Sequence, residues 1–196
     1  MPPSAAVRRG VLEGGIGPPV ILITGPGGVG KTTVAFEVCR RLEDAGVAHA
    51  MIDADELDRV FPAPADDPDK AGLTRRNLAA VWANLRTAGA PRLILTMVAS
   101  SIEDELPQVR EAIPGAALTV VRLRASERDL LQRVRRREVG SGYDYQAPRT
   151  IRQARLMQRE SAGDLLVVDT SGRTVGEVAQ EILDHSGWPR PADSAH

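Results

Sequence analysis

Gly25-Pro26-Gly27-Gly28-Val29-Gly30-Lys31-Thr32, followed by Thr33, separates the apolar run Val20-Ile21-Leu22-Ile23 from a helical pattern that begins at Lys31. The spacing is that of a G-x-x-x-x-G-K-[ST] phosphate-binding loop. Glycines let the backbone curl until successive N–H groups point at one anion, an approach that side chains would block. In such a loop Lys31 reaches the β- and γ-phosphates, and Thr32 offers its hydroxyl to Mg²⁺. The following helix adds the positive end of its dipole.

Two other readings of the stretch exist. Gly25-x-Gly27-x-x-Gly30 also satisfies a dinucleotide fingerprint, and Asp53 stands where that fingerprint expects an acid. A glycine-rich turn can also be mere connection. Neither alternative requires Lys31-Thr32, so the pair decides for a nucleoside triphosphate, with ATP and Mg²⁺ the expected ligands.

The composition sets the class. The 196 residues are 42% hydrophobic and 26% charged, as expected of one globular domain with a real core. A net charge of −1 and 3% aromatic residues provide neither a field nor stacking platforms for nucleic acid. No apolar stretch approaches a membrane span. Cys39, the single cysteine, falls on the inner stripe of the first helix and suits a reducing cytoplasm. Residues 1–17 and 187–196 are rich in small residues and proline, and are expected to be tails around a domain over 18–186.

Along that domain, strands alternate with helices. Strands are expected at 20–24, 48–52, 92–99, 118–123 and 165–169, and helices from Lys31 to about Ala45, ending near Gly89, from Ser101, over 126–137, from about Pro148 to Glu160, and from Thr174. Pro62 to Asp69 carries too many prolines for helix or central strand. This order implies an α/β fold, a three-layer αβα sandwich around a five-stranded parallel sheet. Ligands in such sheets lie beyond the carboxyl ends of the strands, where the loop and Asp53/Asp55 both fall.

A carboxylate near the γ-phosphate can take the proton of an attacking hydroxyl or hold water around Mg²⁺. Asp55 is the first candidate base and Asp53 the second, with Asp53 and Thr32 the candidate metal ligands. If the chain stays extended there, Asp53 and Asp55 point to opposite sides. Arg133 and Arg137 share one face of the helix expected over 126–137, and a fixed guanidinium stabilises a phosphoryl group in flight or stacks on adenine. Gly140-Ser141-Gly142 can hinge, so residues of about 138–150 read as a short lid, with Arg149, Arg152 and Arg155 beyond it. Thr170, in the turn after the last strand, stands ready to border a base. Arg59, Arg75 and Arg76 are candidates for an anionic acceptor.

Taken together, the loop Gly25–Thr32, the Asp after the second strand, Arg133-x-x-x-Arg137 before a lid, and Val-Val-Asp169-Thr170-Ser-Gly resemble the small P-loop kinases. That group includes nucleoside monophosphate, shikimate, gluconate and adenylylsulfate kinases and chloramphenicol phosphotransferase. The resemblance covers most of residues 19–185. It implies a P-loop NTPase fold with a short lid, ATP·Mg²⁺ as donor and a small-molecule hydroxyl or phosphate as acceptor. It further implies Arg133 against adenine and Arg137 near the transferring phosphate. Two departures stand out. The third strand carries no aspartate for a second magnesium anchor. Position 58 is Asp, with Arg59 one residue later than the arginine of adenylylsulfate kinases. The expected activity is therefore an ATP-dependent kinase, with a nucleotide-responsive binding module or slow NTPase as the alternative.

Overall fold

A computed structural model describes residues 17–138, 142–160 and 165–188. Five strands, β1 (Pro19–Thr24), β2 (Ala50–Asp53), β3 (Leu93–Met97), β4 (Ala117–Arg124) and β5 (Leu166–Asp169), form one sheet in the order β2-β3-β1-β4-β5. Every pairing is parallel. Six helices cover it: α1 (Lys31–Asp44), α2 (Ala71–Thr87), α3 (Ile102–Ala112), α4 (Glu127–Arg137), α5 (Gly142–Gln158) and α6 (Val175–Ser186).

The unbroken apolar character of β1 follows from its place at the centre of the sheet, buried on both faces. Successive side chains point to opposite sides, so Ile21 and Ile23 join one core with Val34, Val38 and Leu42 of α1 and with Val178 and Ile182 of α6. Val20 and Leu22 join the other, with Leu78 and Trp82 of α2 and Val109 of α3. Short-range signals start the helices. Ser101 accepts from the Asp104 N–H, Ser126 from Asp129, and Thr174 with Glu177 closes a complete capping box. Cys39 is buried, and burial pushes its thiol up to about 11, which keeps it unreactive.

Two local expectations change. The helix expected from about Pro148 begins at Gly142, so Pro148 lies inside α5. Ala147, Thr150, Ala154 and Met157 form a buried stripe along it, and that packing outweighs the backbone hydrogen bond the proline cannot make. Residues 142–150 of the proposed lid form the first half of α5, while Gly140 and Ser141 of the expected hinge lie outside the described residues. Trp188, placed by its sequence in the C-terminal tail, is buried in the core, and Arg92 stacks on its ring.

Replacing fully buried Ile21 by Ala is expected to cost about 3 kcal/mol, the transfer of the lost methylenes plus the cavity left behind. Urea unfolding midpoints of the variant and the parent check this.

Candidate active site

The loop between β1 and α1 turns on glycine. Gly28 and Gly30 have φ of 75° and 103°, a left-handed region that side chains rarely adopt. This conformation brings Lys31 back beneath the loop, where its ammonium donates to the Gly25 carbonyl at 3.2 Å and meets Asp55 Oδ2 at 3.4 Å. Lys31 is 7% exposed. Burial is the largest influence on the ammonium and lowers its pKa below the ordinary 10.5, opposed by Asp55 and then Asp53, with Arg137 adding to the lowering.

The two acids after β2 do not point apart. Ala54 begins a single 3₁₀ turn, Ala54–Glu56, because the Asp53 carboxylate caps it by accepting the Asp55 N–H at 3.2 Å. The chain therefore bends where an extended strand would have separated the side chains. Both carboxylates line one cavity of about 1190 Å³ together with the loop. Asp53 Oδ2 accepts the Thr32 hydroxyl at 2.8 Å, and Asp55 Oδ1 accepts the Val98 N–H at 3.0 Å. Val98 directly follows β3, so β2 delivers a carboxylate to the end of the strand that lacks its own aspartate.

Gly27, Gly28, Val29, Gly30, Lys31, Thr32, Thr33, Asp53, Asp55, Arg133, Arg137 and Thr170 all line this cavity, whereas Gly25 lies beneath it as the acceptor for Lys31. Arg133 clamps the far wall. It donates to the Val29 carbonyl at 2.9 Å, to the Thr170 hydroxyl at 2.8 Å and to the Thr170 carbonyl at 3.0 Å. Thr170 can accept because its own hydroxyl proton goes to the Arg124 carbonyl. Arg137 faces Lys31 across the opening and pairs with Glu138.

The outlying arginines divide. Arg59 reaches the cavity but is paired with Glu56. Arg75 pairs with Glu111 on α3 and Arg76 approaches Asp67, and neither lines the cavity. Arg149 lines it and stacks on Tyr145, whereas Arg152 and Arg155 face an outer groove between α4 and α5, with Arg155 paired to Glu127. The cavity also contains residues with no motif to announce them, chiefly Glu138, Gln146 and Gln153. The only sequence signal for the two glutamines is their seven-residue spacing on α5, which puts them on one face.

A parallel α/β sheet with this loop at its carboxyl edge and carboxylates facing it defines the class of P-loop nucleotide-binding proteins. A family model described as an AAA domain matches residues 20–162, and the chain belongs to that family. Solved structures of the same fold include a tunicamycin resistance protein from Deinococcus radiodurans, at 21% identity and a TM-score of 0.62, over 89% of this chain and 99% of that one. They also include a gluconokinase from Sinorhizobium meliloti 1021, at 21% identity and a TM-score of 0.58, over 87% and 92% of the two chains. A third is the Mycobacterium tuberculosis APS kinase in complex with AMPPNP and APS, at 21% identity and a TM-score of 0.58, over 88% and 99%. At these identities the likeness is one of fold. No curated protein matches the chain in sequence. Among the described residues, no helix is long and apolar enough to cross a membrane.

The Lys31 environment sets a pH limit. As pH rises through its lowered pKa, the ammonium loses its proton and the loop loses its cation. Affinity for a nucleoside triphosphate is expected to fall below pH 10.5, where an exposed lysine would still be half charged. Calorimetric titrations across a pH series check this, and Lys31→Arg, which stays charged throughout, should remove the fall.

Proposed function

We propose that the chain is an ATP-dependent phosphotransferase that moves the γ-phosphate to a hydroxyl of a small-molecule acceptor. One observation carries the reading. The two carboxylates at the loop's mouth have separate partners, Asp53 on the Thr32 hydroxyl and Asp55 on the Lys31 ammonium. That is the division of labour phosphoryl transfer needs, one acid on the metal side and one on the side of the attacking hydroxyl.

Thr32 and Asp53 would hold Mg²⁺. Both offer hard oxygen donors, already gathered at 2.8 Å. Among the described residues no group of three or more His, Cys, Asp or Glu side chains forms a ready metal cage. Mg²⁺ does not require one, since it binds through one or two carboxylates, water and the substrate's phosphates. Once bound, the ion supplies charge that shields the phosphate oxygens. Lys31 exchanges its contact with Asp55 for the phosphate tail, which leaves Asp55 Oδ2 free while the Val98 N–H keeps the carboxylate in place. Asp55 then accepts the acceptor's hydroxyl proton as that oxygen bonds to the γ-phosphorus and the bond to the bridging oxygen breaks. Arg137 faces the charge that develops, and Arg133 with Thr170 borders the base.

The acceptor wall supports recognition through hydroxyls. Its cations are already neutralised, Arg59 by Glu56 and Lys70 by Asp58. Of the three arginines suggested for an anionic acceptor, Arg59 lines the cavity, whereas Arg75 and Arg76 do not. The reading of a binding module or slow NTPase drew on the missing magnesium anchor of the third strand, a role that Asp53 on the Thr32 hydroxyl would take in this proposal. The cytoplasm, with its ATP, is the proposed setting.

Asp55→Asn is expected to lower acceptor-dependent turnover by about 10²–10⁴-fold while leaving ATP affinity nearly unchanged. Labelled ATP with pooled sugars, sugar acids and nucleosides identifies the acceptor class for that assay. ATP binding without transfer to any pool, or full turnover in Asp55→Asn, would refute the proposal.

A further inference from the structure

Gln146, Thr150 and Gln153 are spaced four and three apart on α5 and so occupy one face. That face rests on Gly27, the third residue of the loop. The Gly27 N–H donates to Gln153 Oε1 at 3.0 Å. A Cβ at position 27 would come within 2.8 Å of both Gln146 Nε2 and Thr150 Oγ1, so a larger residue there would push these side chains aside. Thr150 is fully buried, and its hydroxyl has no hydrogen-bond partner among the described residues. Thr150 does not line the cavity, so it packs behind the two glutamines, which do.

The face is held firmly. Arg122 on β4, 4% exposed, donates to the Met157 carbonyl at 2.8 Å and pairs with Glu160 just beyond α5. Glu160 in turn accepts the Ile102 N–H at 2.6 Å at the start of α3. The C-terminal half of α5 is thus tied to the sheet and to a second helix, and the glutamines are fixed over the loop.

A carboxamide has one acceptor end and one donor end. Gly27 occupies the acceptor end of Gln153, which leaves its NH₂ group to donate into the cavity that Gln153 lines. We propose that Gln153, with Gln146, forms a subsite for the terminal phosphate of a nucleoside triphosphate and discriminates it from the diphosphate. The proposal rests on the nucleotide-binding reading above and adds to it residues that no loop motif contains. The subsite consists of neutral donors, so it grips phosphate oxygens by geometry and leaves the local cations, Lys31 and Arg137, to balance charge.

The test measures the affinities of AMPPNP and ADP, each with magnesium, by calorimetry on the full chain. Gln153→Glu keeps an oxygen for the Gly27 N–H but replaces the donor with negative charge. It is expected to weaken AMPPNP by at least about tenfold while changing ADP by no more than about twofold. Gln146→Leu removes the second carboxamide at similar size and should lower AMPPNP affinity selectively by a smaller factor. Unchanged AMPPNP-to-ADP ratios in both variants would overturn the proposal. So would tighter AMPPNP binding by Gln153→Ala, which would mean that the carboxamide plugs the seat. If the parent protein binds neither nucleotide, the nucleotide-binding reading itself fails, and that outcome is distinct from an unchanged ratio.

Discussion

A single ammonium buried at the carboxyl edge of a parallel sheet organises this protein. Lys31 is nearly inaccessible to water, and a charge in that position persists only if oxygen surrounds it. The loop provides a carbonyl and the neighbouring strand a carboxylate. Each requirement fixes a piece of chain. The carbonyl demands the left-handed turns of the glycine loop, and the carboxylate demands that β2 end level with β1, which pairing through β3 ensures. The cavity is thus the outcome of satisfying one buried cation. It is ready for a polyanion because a phosphate tail can replace the carboxylate as partner.

Most of the architecture was legible in the sequence because it is written in short-range signals. β1 shows its double burial as an uninterrupted apolar run, and the capping residues Ser101, Ser126 and Thr174 stand one position before α3, α4 and α6. The loop motif pointed to the cavity that the loop lines. Asp53 and Asp55 were found by their place at the strand end, but their shared orientation was not. It depends on the side chain of Asp53 folding back on the Asp55 amide, a choice between turn and strand that sequence alternation does not record.

What stayed hidden is long-range. Gly27 and Gln153 are 126 positions apart, and no local pattern says that the glutamine face of α5 will land on the loop. The start of α5 was missed for a related reason. Gly142 and Pro148 argue locally for irregular chain, and the buried stripe from Ala147 to Met157 overrides them through contacts made elsewhere in the fold. Arg133 was recognised as belonging to the site, but its three bonds to Val29 and Thr170 give it a second part, bracing the loop against the turn after β5.

The scarcity of lysine has a practical result. Lys31 and Lys70 are the only two in the chain, and the second is partly shielded by its contacts to Asp58. Arginine performs nearly every other cationic task, and its guanidinium resists acylation. Amine-directed chemistry would meet few side chains here, and the Lys70 side chain is more open to a reagent than that of Lys31. A label attached through an amine would therefore leave the buried cation of the loop in place.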